Sequence, residues 1–553
     1  MRSWEIVRDS LIAQGFAIAK GSSIDSYQGT IELGKIFVSI QIEIPDYDFV
    51  ELPKIRVINA ATLPRPLMAH IVDDGTLCYA DRATFVLDRY QPDRSVNSCL
   101  EQAKQTLRTL LHGNATDEYM AELSAYWSST AYCLIDDLEP NTTVTFGICS
   151  FDKKPQILIA GKSDTRLSKW AKTAGGTFES LFTAPVLHAN SVIRPPTTKN
   201  TTLKSATDWL DVQVETNRTL LETAIGDGVK EPSALIVGAN AIIGFRAKRS
   251  LLMSNIEEGS FRKLTLPKLW QKEASKCEIE RFHCVRSTQL EVTDRNLDRN
   301  APLTGLRIAI VGCGTIGGYL ARALVQLGAG HKGKLLLVDS DVFRPENLGR
   351  HILSVRHLSR NKASALGDQL QSDFPDLSVE AIAASAQANF DRLTGYDLVV
   401  DATGDQQFSD ALNAFALKFT EEGRSFPPTL FAMIFGNGVA AQSFLTSWTS
   451  TSACYRCLKP NFDQDWRFSP VKSSTDEVFV SVRPCSRGAF IPYGVSASMH
   501  AAALAAGHLI DFFSEGYRDA LRSVHIVPDK TKGKLRRSVN RAVNCPACSL
   551  KLT

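Results

Sequence analysis

The sequence predicts an α/β protein of several domains, and three observations carry this prediction. The chain has 553 residues, beyond the length at which a single hydrophobic core stops growing. From about Leu303 onward, apolar strand-like runs alternate with glycine turns and helical segments, a pattern typical of a largely parallel sheet. Before that point, strands and amphipathic helices follow one another without this regularity. We expect domains at residues 1–131, 132–286 and 287–553.

The two N-terminal regions differ in texture. In residues 1–131, apolar residues recur at helical spacing from Trp4 to Phe16, alternating strands follow, and a helix from Ser98 to Leu111 closes the unit. This pattern predicts an α+β module. Residues 132–286 hold short strand-like runs between polar stretches and carry no chemical motif, so we interpret them as a small α/β linker or docking domain.

Composition argues against two classes of partner. A net charge of +3 gives no reason to expect nucleic acid. The N-terminal residues lack a sustained apolar core, and the most apolar long stretch, Gly494 to Phe513, is built largely from Ala, Gly and Ser. Such a stretch is too weakly hydrophobic to span a bilayer and predicts a buried helix packed on a sheet. We expect a cytoplasmic protein that binds neither nucleic acid nor membrane.

A glycine pattern marks a nucleotide site at the start of the third region. Gly312, Gly314 and Gly317 follow an apolar strand and open a helix, and Asp339 ends the next strand. Glycines permit a tight turn and let backbone N–H groups approach a phosphate, while the acid suits a ribose hydroxyl. This pattern on its own favours a dinucleotide-binding dehydrogenase.

Polar residues further along favour a different chemistry. Asn347 and Arg350 form an Asn-x-x-Arg pair, Lys362 follows twelve residues later, and Asp401 ends another strand. Two cations and two carboxylates around one crevice suit a triphosphate with magnesium. Because the chain has no Walker lysine motif, we expect attack on the α-phosphate with loss of pyrophosphate rather than transfer of the γ-phosphate.

The strings GCGTIG, VDSD, NLGR and DATGD, with Lys362 between the last two, resemble the adenylation domain of the ThiF/MoeB and ubiquitin-activating family. The resemblance implies ATP as substrate, and it implies roles for the following residues: Asp339 and Asp341 at the ribose and metal region, Asn347, Arg350 and Lys362 on phosphates, and Asp401 as the Mg²⁺ ligand. The family also uses an arginine from a preceding helix, often across a dimer. Arg295 is our candidate for that arginine and Arg299 the alternative.

Four of the twelve cysteines form two Cys-x-x-Cys pairs, Cys454 with Cys457 and Cys545 with Cys548. This spacing predicts a closed, structural Cys₄ zinc site, and the strings CYRCL and CPAC also resemble the zinc site of the adenylation family. Two further cysteines, discussed below, stand in unusual contexts. The other six are expected to be small buried side chains: Cys99, Cys133, Cys149, Cys277, Cys284 and Cys313.

Cys485 lies between Arg483 and Arg487, just before the Ala-rich helix. Neighbouring cations favour a thiolate, which predicts a nucleophile, although a fifth structural cysteine stays possible. Activating enzymes of the autophagy type resemble this sequence in carrying a catalytic cysteine at a similar place. MoeB-type members also carry a cysteine there, sometimes without essential thioester chemistry.

The first region resembles the ubiquitin-conjugating fold. Its helix, strand meander and Pro corner precede AHIVDDGTLCY, which keeps the His70 and Gly-x-Leu-Cys core of that family and implies that Cys78 is a nucleophile. The family's asparagine, which would stabilise an oxyanion, is missing. Three nearby acids are possible polar or proton-accepting groups, with ordinary surface loop acids as the alternative: Asp73, Asp74 and Asp81.

The order of the regions resembles fused bacterial enzymes of antiphage and ubiquitin-like modification operons, of which the CBASS fusion is one case. The resemblance implies that the C-terminal glycine of a ubiquitin-like protein is adenylated, passed to Cys485 as a thioester, transferred to Cys78 and joined to a target lysine, with a homodimer formed through the adenylation domain. The alternative is a sulfur-carrier adenylyltransferase of the MoeB/ThiF kind with a non-catalytic N-terminal domain. A scaffold with a decayed nucleotide site and a dehydrogenase are more distant readings.

Overall fold

The computed structural model describes residues 2–19, 25–58, 63, 69–72, 74–112, 115–127, 129–196, 200–216, 218–225, 231–248, 265–297, 302–472, 491–516 and 520–549. The chain divides into two compact units, Met1–Arg286 and Ser287–Thr553. Each unit has its own hydrophobic clusters.

The first unit begins with helices around a small antiparallel sheet of order β1-β2-β3-β4. Its elements are α1 (Ser3–Ala13), β1 (Ala17–Ile18), β2 (Asp25–Leu33), β3 (Ile36–Ile44), β4 (Lys54–Val57), α2 (Pro92–His112), α3 (Ala115–Ala121) and α4 (Leu123–Tyr126).

Hydrophobic periodicity explains these elements. In β3, Val38, Ile40 and Ile42 are buried at a spacing of two, which places one face of the strand in the core. The apolar face of α2 is buried at helical spacing, through Val96, Leu100, Ala103, Leu107 and Leu110. The predicted closing helix is therefore present, and it begins at Pro92 rather than Ser98.

The remainder of the first unit contains a closed seven-stranded barrel of order β10-β11-β5-β7-β6-β8-β9. The elements from here to residue 286 are β5 (Ser129–Cys133), β6 (Thr143–Ser150), β7 (Ile157–Gly161), α5 (Asp164–Thr173), β8 (Thr177–His188), α6 (Leu203–Asp211), α7 (Leu220–Ile225), β9 (Ser233–Val237), β10 (Ile242–Ala247), α8 (Thr265–Glu273) and β11 (Ile279–Arg286).

The sequence patterns did not predict barrel closure, because closure depends on pairing between strands that are distant in the chain. β11 pairs in parallel with β5, so that His283 lies opposite Thr130. The phenyl rings of Phe146 and Phe282 pack with centroids 4.8 Å apart in the core of this part of the chain. The predicted boundary after residue 131 falls inside β5, and the division of residues 1–286 into two domains stays a prediction.

The second unit has helices and one eight-stranded sheet. Its elements are α9 (Gln289–Asn296), β12 (Arg307–Val311), α10 (Thr315–Gln326), β13 (Lys334–Val338), α11 (Lys362–Asp373), β14 (Val379–Ile382), α12 (Phe390–Leu393), β15 (Leu398–Asp401), α13 (Gln406–Glu421), β16 (Thr429–Phe435), β17 (Ala440–Thr446), α14 (Val495–Glu515), β18 (Leu521–His525) and β19 (Arg536–Arg537).

The strand order of this sheet is β14-β13-β12-β15-β16-β17-β18-β19. The first five strands are parallel, and β17 to β19 are antiparallel additions. The predicted α/β class with a mostly parallel sheet is thereby confirmed. The chain reverses its direction of sheet growth between β12 and β15, and in open α/β sheets ligands bind beyond the carboxyl ends of the strands at such a switch point.

The predicted Ala-rich helix is confirmed as α14, which packs against α10 and β17. Small residues such as Ala501 and Ala505 are buried, and His508 Nδ1 lies 2.9 Å from the Ser443 hydroxyl on β17. Among the described residues, no helix combines the length and apolar character that crossing a membrane requires.

Candidate functional site

The glycine turn after β12 divides its three glycines between packing and access. A Cβ atom on Gly317 would lie 1.8 Å from the Gly312 carbonyl oxygen, and Gly312 itself has a φ of +87°. Both residues therefore need to be glycine for the turn to close. A Cβ atom on Gly314, the residue that caps the N-terminus of helix α10, would meet nothing within 4 Å. The turn is therefore open at Gly314, next to a helix N-terminus suited to phosphate.

Asp339 buttresses this turn from the neighbouring strand. Its Oδ2 accepts a 2.7 Å hydrogen bond from the Cys313 amide, and its Oδ1 accepts one of 2.8 Å from the Asp341 amide. Burial raises the pKa of Asp339. Since β12 pairs with both β13 and β15, the turn, Asp339 and the residues after Asp401 lie at one edge of the sheet.

Lys362 and Asp341 form an ion pair beside Asp339. The distance from Nζ to Oδ2 is 2.8 Å, and the lysine side chain is 10% exposed whereas that of Asp341 is 59% exposed. Asn361 fixes the geometry by donating to the carbonyl oxygens of Asp339 and Asp341 at 2.8 and 3.1 Å. Sequence reasoning missed Asn361, although an asparagine before a helical run is a recognisable N-cap signal, and its Oδ1 does accept from the Ser364 amide.

His351, a second residue that the motifs did not flag, ties the segment around Arg350 to the turn. Its Nε2 donates to the Cys313 carbonyl at 2.8 Å, because its Nδ1 accepts from the Leu353 amide at 3.0 Å. Burial lowers the pKa of His351 to about 4. The ring is therefore neutral near pH 7, with its proton on Nε2.

Arg350 is held by residues just before α14. Its Nη1 donates to the Ile491 carbonyl at 3.0 Å, and its guanidinium carbon lies 4.4 Å from the centre of the Tyr493 ring. The Tyr493 hydroxyl is in turn 2.9 Å from Thr315 Oγ1, in the first turn of α10. The structure thus brings Arg350 to the same turn as Gly314.

Of the other predicted residues, Asn347 and Asp401 form hydrogen bonds with residues close to them in sequence, whereas Arg295 is exposed. Asn347 ends a 3-10 turn and accepts from the Arg344 amide at 2.9 Å. Asp401 is 2% exposed; it accepts from the Thr403 amide and hydroxyl and from the Ser409 hydroxyl, and burial raises its pKa. Arg295 is exposed in the last turn of α9, while Arg299 lies outside the described residues.

The four cysteines of the two Cys-x-x-Cys pairs come together, with their sulfur atoms all within 4.8 Å of one another. The sulfur of Cys454 lies 3.8 Å from those of Cys457 and Cys545, and Cys457 lies 3.4 Å from Cys548. A tetrahedral zinc site with metal–sulfur bonds of ~2.3 Å has edges of about 3.8 Å, so this cluster fits zinc.

Two arginines join the loops that carry these thiols. Arg467 donates to the carbonyl oxygens of Cys457 and Asn540 at 2.8 and 3.2 Å, and Arg456 pairs with Asp410 on α13 at 2.8 Å. The cluster is therefore anchored on both sides. The six cysteines predicted to be buried are buried, which confirms that expectation.

Cys485, the predicted nucleophile of this unit, lies outside the described residues, as do Arg483 and Arg487.

Cys78 is an exposed cysteine in the first unit and lies opposite His70. Its amide donates to the His70 carbonyl at 2.7 Å, next to the antiparallel bridge between Ile71 and Leu77. Burial, followed by the negative charges of Glu122 and Asp74, raises the pKa of the Cys78 thiol. The site therefore favours the protonated thiol.

Residues of α3, of α4 and of the junction between them contact His70, and sequence reasoning missed them. The His70 amide donates to the Tyr126 hydroxyl at 2.5 Å, and its ring nitrogens Nδ1 and Nε2 lie 3.2 Å from Glu122 and 3.7 Å from Glu118. The Tyr126 hydroxyl donates to the same Glu122 carboxylate. These residues follow Cys78 by about forty or more positions without any motif, so no sequence signal connected them to it.

The acids near Cys78 that the sequence suggested have local roles. Asp74 accepts from the Thr76 amide at 2.9 Å, and Asp81 accepts from the Ala83 amide at 2.9 Å, as short polar side chains do in turns. Asp73 lies outside the described residues.

Comparison with protein families agrees with this division of chemistry. Residues 13–133 match prokaryotic E2 family B, and residues 287–547 match the ThiF family. The chain is therefore a fusion of an E2-type domain and a ThiF domain, which defines an activating–conjugating transferase.

Two similar proteins that carry the same name differ in how much of the chain they match. A protein of Pseudomonas aeruginosa named "ATP-dependent ubiquitin transferase-like protein Cap2" is 28% identical over 528 residues, covering 91% of this chain and 90% of that protein. An Escherichia coli protein of the same name is 37% identical over 187 residues, covering 33% of this chain and 31% of the other. The crystal structure of E. coli MccB aligns at 18% identity over 55% of this chain and 83% of that chain, with a TM-score of 0.37, too low to carry an argument.

Proposed function

We propose that this protein uses ATP to adenylate the C-terminal glycine of a ubiquitin-like protein and then conjugates it to a target through two cysteines. The terminal carboxylate attacks the α-phosphate and expels pyrophosphate. The Cys485 thiolate displaces AMP to form a thioester, and Cys78 accepts the acyl group by transthiolation. A lysine amine of the target then attacks the acyl carbon and releases the Cys78 thiol.

The single observation that carries this proposal is the occurrence, in one chain, of a ThiF-type glycine turn and an exposed cysteine opposite a histidine in an E2-type domain. A sulfur-carrier adenylyltransferase has no need of the second feature. The name of the Pseudomonas relative, an ATP-dependent ubiquitin transferase-like protein, supports the same reading.

In the adenylation step, the residues around the glycine turn divide the work. The amides at the start of α10 and the cations of Arg350 and Lys362 would face phosphate, where they stabilise the negative charge that develops as pyrophosphate leaves. Asp339 would face the ribose. Lys362 is already paired with Asp341, so a phosphate would share or replace that partner.

The carboxylates also fit Mg²⁺, which prefers oxygen ligands and neutralises triphosphate charge when bound. Asp341 offers an exposed carboxylate. Asp401 is the second proposed ligand, and it would hold the metal only after the Thr403 and Ser409 hydroxyls turn away from it. The Cys₄ cluster would hold zinc in a structural role.

The proposed partners are a ubiquitin-like protein ending in glycine and a target carrying an acceptor lysine. We further propose a homodimer formed through the ThiF domain, with Arg295 as the arginine offered near the nucleotide. We also propose that the protein acts in the cytoplasm, in a bacterial antiphage pathway.

Pyrophosphate exchange tests the adenylation step. The full chain is mixed with ATP, Mg²⁺, labelled pyrophosphate and a bacterial ubiquitin-like protein that ends in glycine. We expect exchange that depends on the terminal glycine of the ubiquitin-like protein. The exchange rate should fall by about a hundredfold or more in Arg350→Ala and in Lys362→Ala, because each variant lacks a cation that stabilises the negative charge of the transition state.

Arg360→Ala is the matched control, because Arg360 is near Lys362 in sequence but pairs on the surface with Asp368. It should exchange within about twofold of the wild-type rate. Wild-type protein that shows no exchange would contradict the proposal, and unchanged exchange in both nucleotide-site variants would contradict the residue assignment.

A further inference from the structure

The backbone of His70 adopts a conformation that its neighbours must maintain. Its φ is +60°, in the left-handed region that residues other than glycine rarely occupy. Such conformations persist where the surrounding structure over-determines them, and they concentrate at functional sites. His70 also lies opposite Cys78 across a two-stranded turn, so the groups that hold His70 control what stands beside the thiol.

Glu122 and Tyr126 hold both parts of His70. Tyr126 accepts the hydrogen bond of the His70 amide, which fixes the backbone, and Glu122 lies 3.2 Å from Nδ1, which fixes the ring. The two are themselves joined, because the Tyr126 hydroxyl donates to Glu122. Tyr126 is further supported by the ring of Tyr119, stacked with centroids 4.8 Å apart. Contacts therefore run from the His70 amide through Tyr126 and Glu122 back to the His70 ring, and we call this closed set of contacts the His70 circuit.

Negatively charged side chains face Cys78 from two sides of the site. Glu122 acts from the helical side, and Asp74 acts from the turn that precedes Cys78. The Arg56 guanidinium lies 3.7 Å from Asp74 and 3.3 Å from Glu43, so part of the charge of Asp74 is compensated. Glu118 lies 3.7 Å from the other ring nitrogen of His70. Glu122 is therefore the carboxylate that touches His70 and acts on Cys78 at once.

We propose that Glu122 is a positioning residue of the Cys78 site, which, together with Tyr126, holds His70 opposite Cys78 during transfer of the acyl group. This inference rests on the proposed function, because it assigns Glu122 to the transthiolation step. In this step the Cys78 sulfur forms a bond to the acyl carbon and the bond between the acyl carbon and the Cys485 sulfur breaks. The Cys485 sulfur leaves as a thiolate and takes up the proton that Cys78 loses.

Two variants separate the parts of this circuit. Glu122→Gln keeps the size and hydrogen-bonding capacity of the side chain but removes its charge. Tyr126→Phe removes the hydroxyl that holds the His70 amide and keeps the ring that stacks on Tyr119. The control is Glu101→Gln on α2, an exposed carboxylate that pairs with Lys104.

The first readout is the pH dependence of Cys78 alkylation by iodoacetamide in the full chain, followed by mass spectrometry of the peptide that carries Cys78. We expect the midpoint in Glu122→Gln to fall by about half a pH unit or more, because a negative charge near the thiolate is gone. Glu101→Gln should match the wild type. A midpoint in Glu122→Gln equal to that of the wild type would overturn the inference.

The second readout is the rate at which the thioester appears on Cys78. Because loss of the Glu122 charge also raises the thiolate fraction of Cys78, each transfer rate is divided by the thiolate fraction taken from the alkylation midpoint of that variant. We expect Glu122→Gln and Tyr126→Phe to lower this corrected rate by about tenfold or more at unchanged pyrophosphate exchange. A corrected rate equal to that of the wild type in both variants would overturn the inference. Absence of any Cys78 adduct in the wild type would refute the proposed function instead, and the alkylation midpoint of Glu122→Gln would then still support or overturn the placement of Glu122.

Discussion

The Cys₄ cluster and the Cys78 site use the same side chain in opposite surroundings. Cys454, Cys457 and Cys545 are buried, and their sulfur atoms lie 3.4–3.8 Å from other sulfur atoms of the cluster. The Ala542 amide also donates to the Cys457 sulfur at 3.4 Å. Cys78 is exposed, and its neighbours are a histidine and carboxylates. A cluster of thiols invites a cation that converts all of them to thiolates, whereas carboxylates keep a single thiol protonated.

The neighbours of a cysteine, more than its position in a motif, therefore decide its chemistry. The difference between the two sites also separates two kinds of consequence. Changes at the cluster should act on folding, because the proposed zinc would join the two loops that carry the thiols. Changes at Cys78 should act on transfer and leave folding intact.

The largest effect is expected from Cys545→Ser, which removes one ligand of the cluster. We expect loss of bound zinc and a destabilisation of the ThiF domain on the order of 5 kcal/mol, since metal binding and folding are coupled. Zinc content by mass spectrometry and thermal unfolding check this. Cys149→Ala, which alters a buried cysteine in the barrel, should keep its zinc. A Cys545→Ser protein with full zinc and unchanged unfolding would show that the cluster has no structural metal.

The next effect concerns His351, whose neutral ring clamps the glycine turn. Its folded pKa of about 4 lies below the unfolded value of about 6.5, so the unfolded state binds more protons between these pH values. The contribution of His351 is complete above pH 6.5, and roughly 3 kcal/mol is lost as the pH falls to 4. Chemical denaturation at several pH values checks this. In His351→Gln the free energy of unfolding should change less between pH 6.5 and pH 4 than in the wild type. An equal pH dependence of unfolding in the variant and the wild type would contradict this role of His351.

The glycines offer the same contrast between structure and function as the cysteines. A methyl group on Gly317 would overlap the Gly312 carbonyl, so Gly317→Ala should destabilise the ThiF domain by about 2 kcal/mol. Gly314→Ala meets open space and should leave unfolding nearly unchanged while weakening ATP binding. Denaturation and nucleotide titration check the pair. Equal stability losses in both variants would contradict the division.

The smallest effect is expected at Tyr493, whose ring packs against the Arg350 guanidinium and whose hydroxyl hydrogen-bonds to Thr315 Oγ1. Tyr493→Phe and Thr315→Val should each raise the KM for ATP in pyrophosphate exchange by a factor that corresponds to about 1 kcal/mol. Because both remove the same hydrogen bond, the double variant should lose little more than either single variant. Fully additive losses would show that the bond is not shared.

The parts of the molecule that the sequence made predictable are those in which consecutive residues act together. The glycine turn, Asp339 and the Cys-x-x-Cys pairs each lie on one strand end or one loop, so their spacing reports their geometry. Asn361 and His351 had weaker local signals.

Other parts depend on contacts that no short segment contains. Glu122 and Tyr126 reach His70 from helices some fifty positions away, and the barrel closes by pairing β11 with β5. A single strand shows neither its partner nor the carboxylate that will face it. The roles of Asp401 and Arg295 stay predictions, since one is committed to neighbouring hydroxyls and the other is exposed.

The relay between the two cysteines is tested by a non-reducing gel of the full chain with ATP, Mg²⁺ and a bacterial ubiquitin-like protein that ends in glycine. Wild type, Cys485→Ala and Cys78→Ala are compared before and after addition of thiol. We expect a thiol-sensitive adduct that is lost in Cys485→Ala and kept in Cys78→Ala, a result that would establish the relay and its order. Pyrophosphate exchange without an adduct in any of the three proteins would contradict the relay and favour the sulfur-carrier alternative.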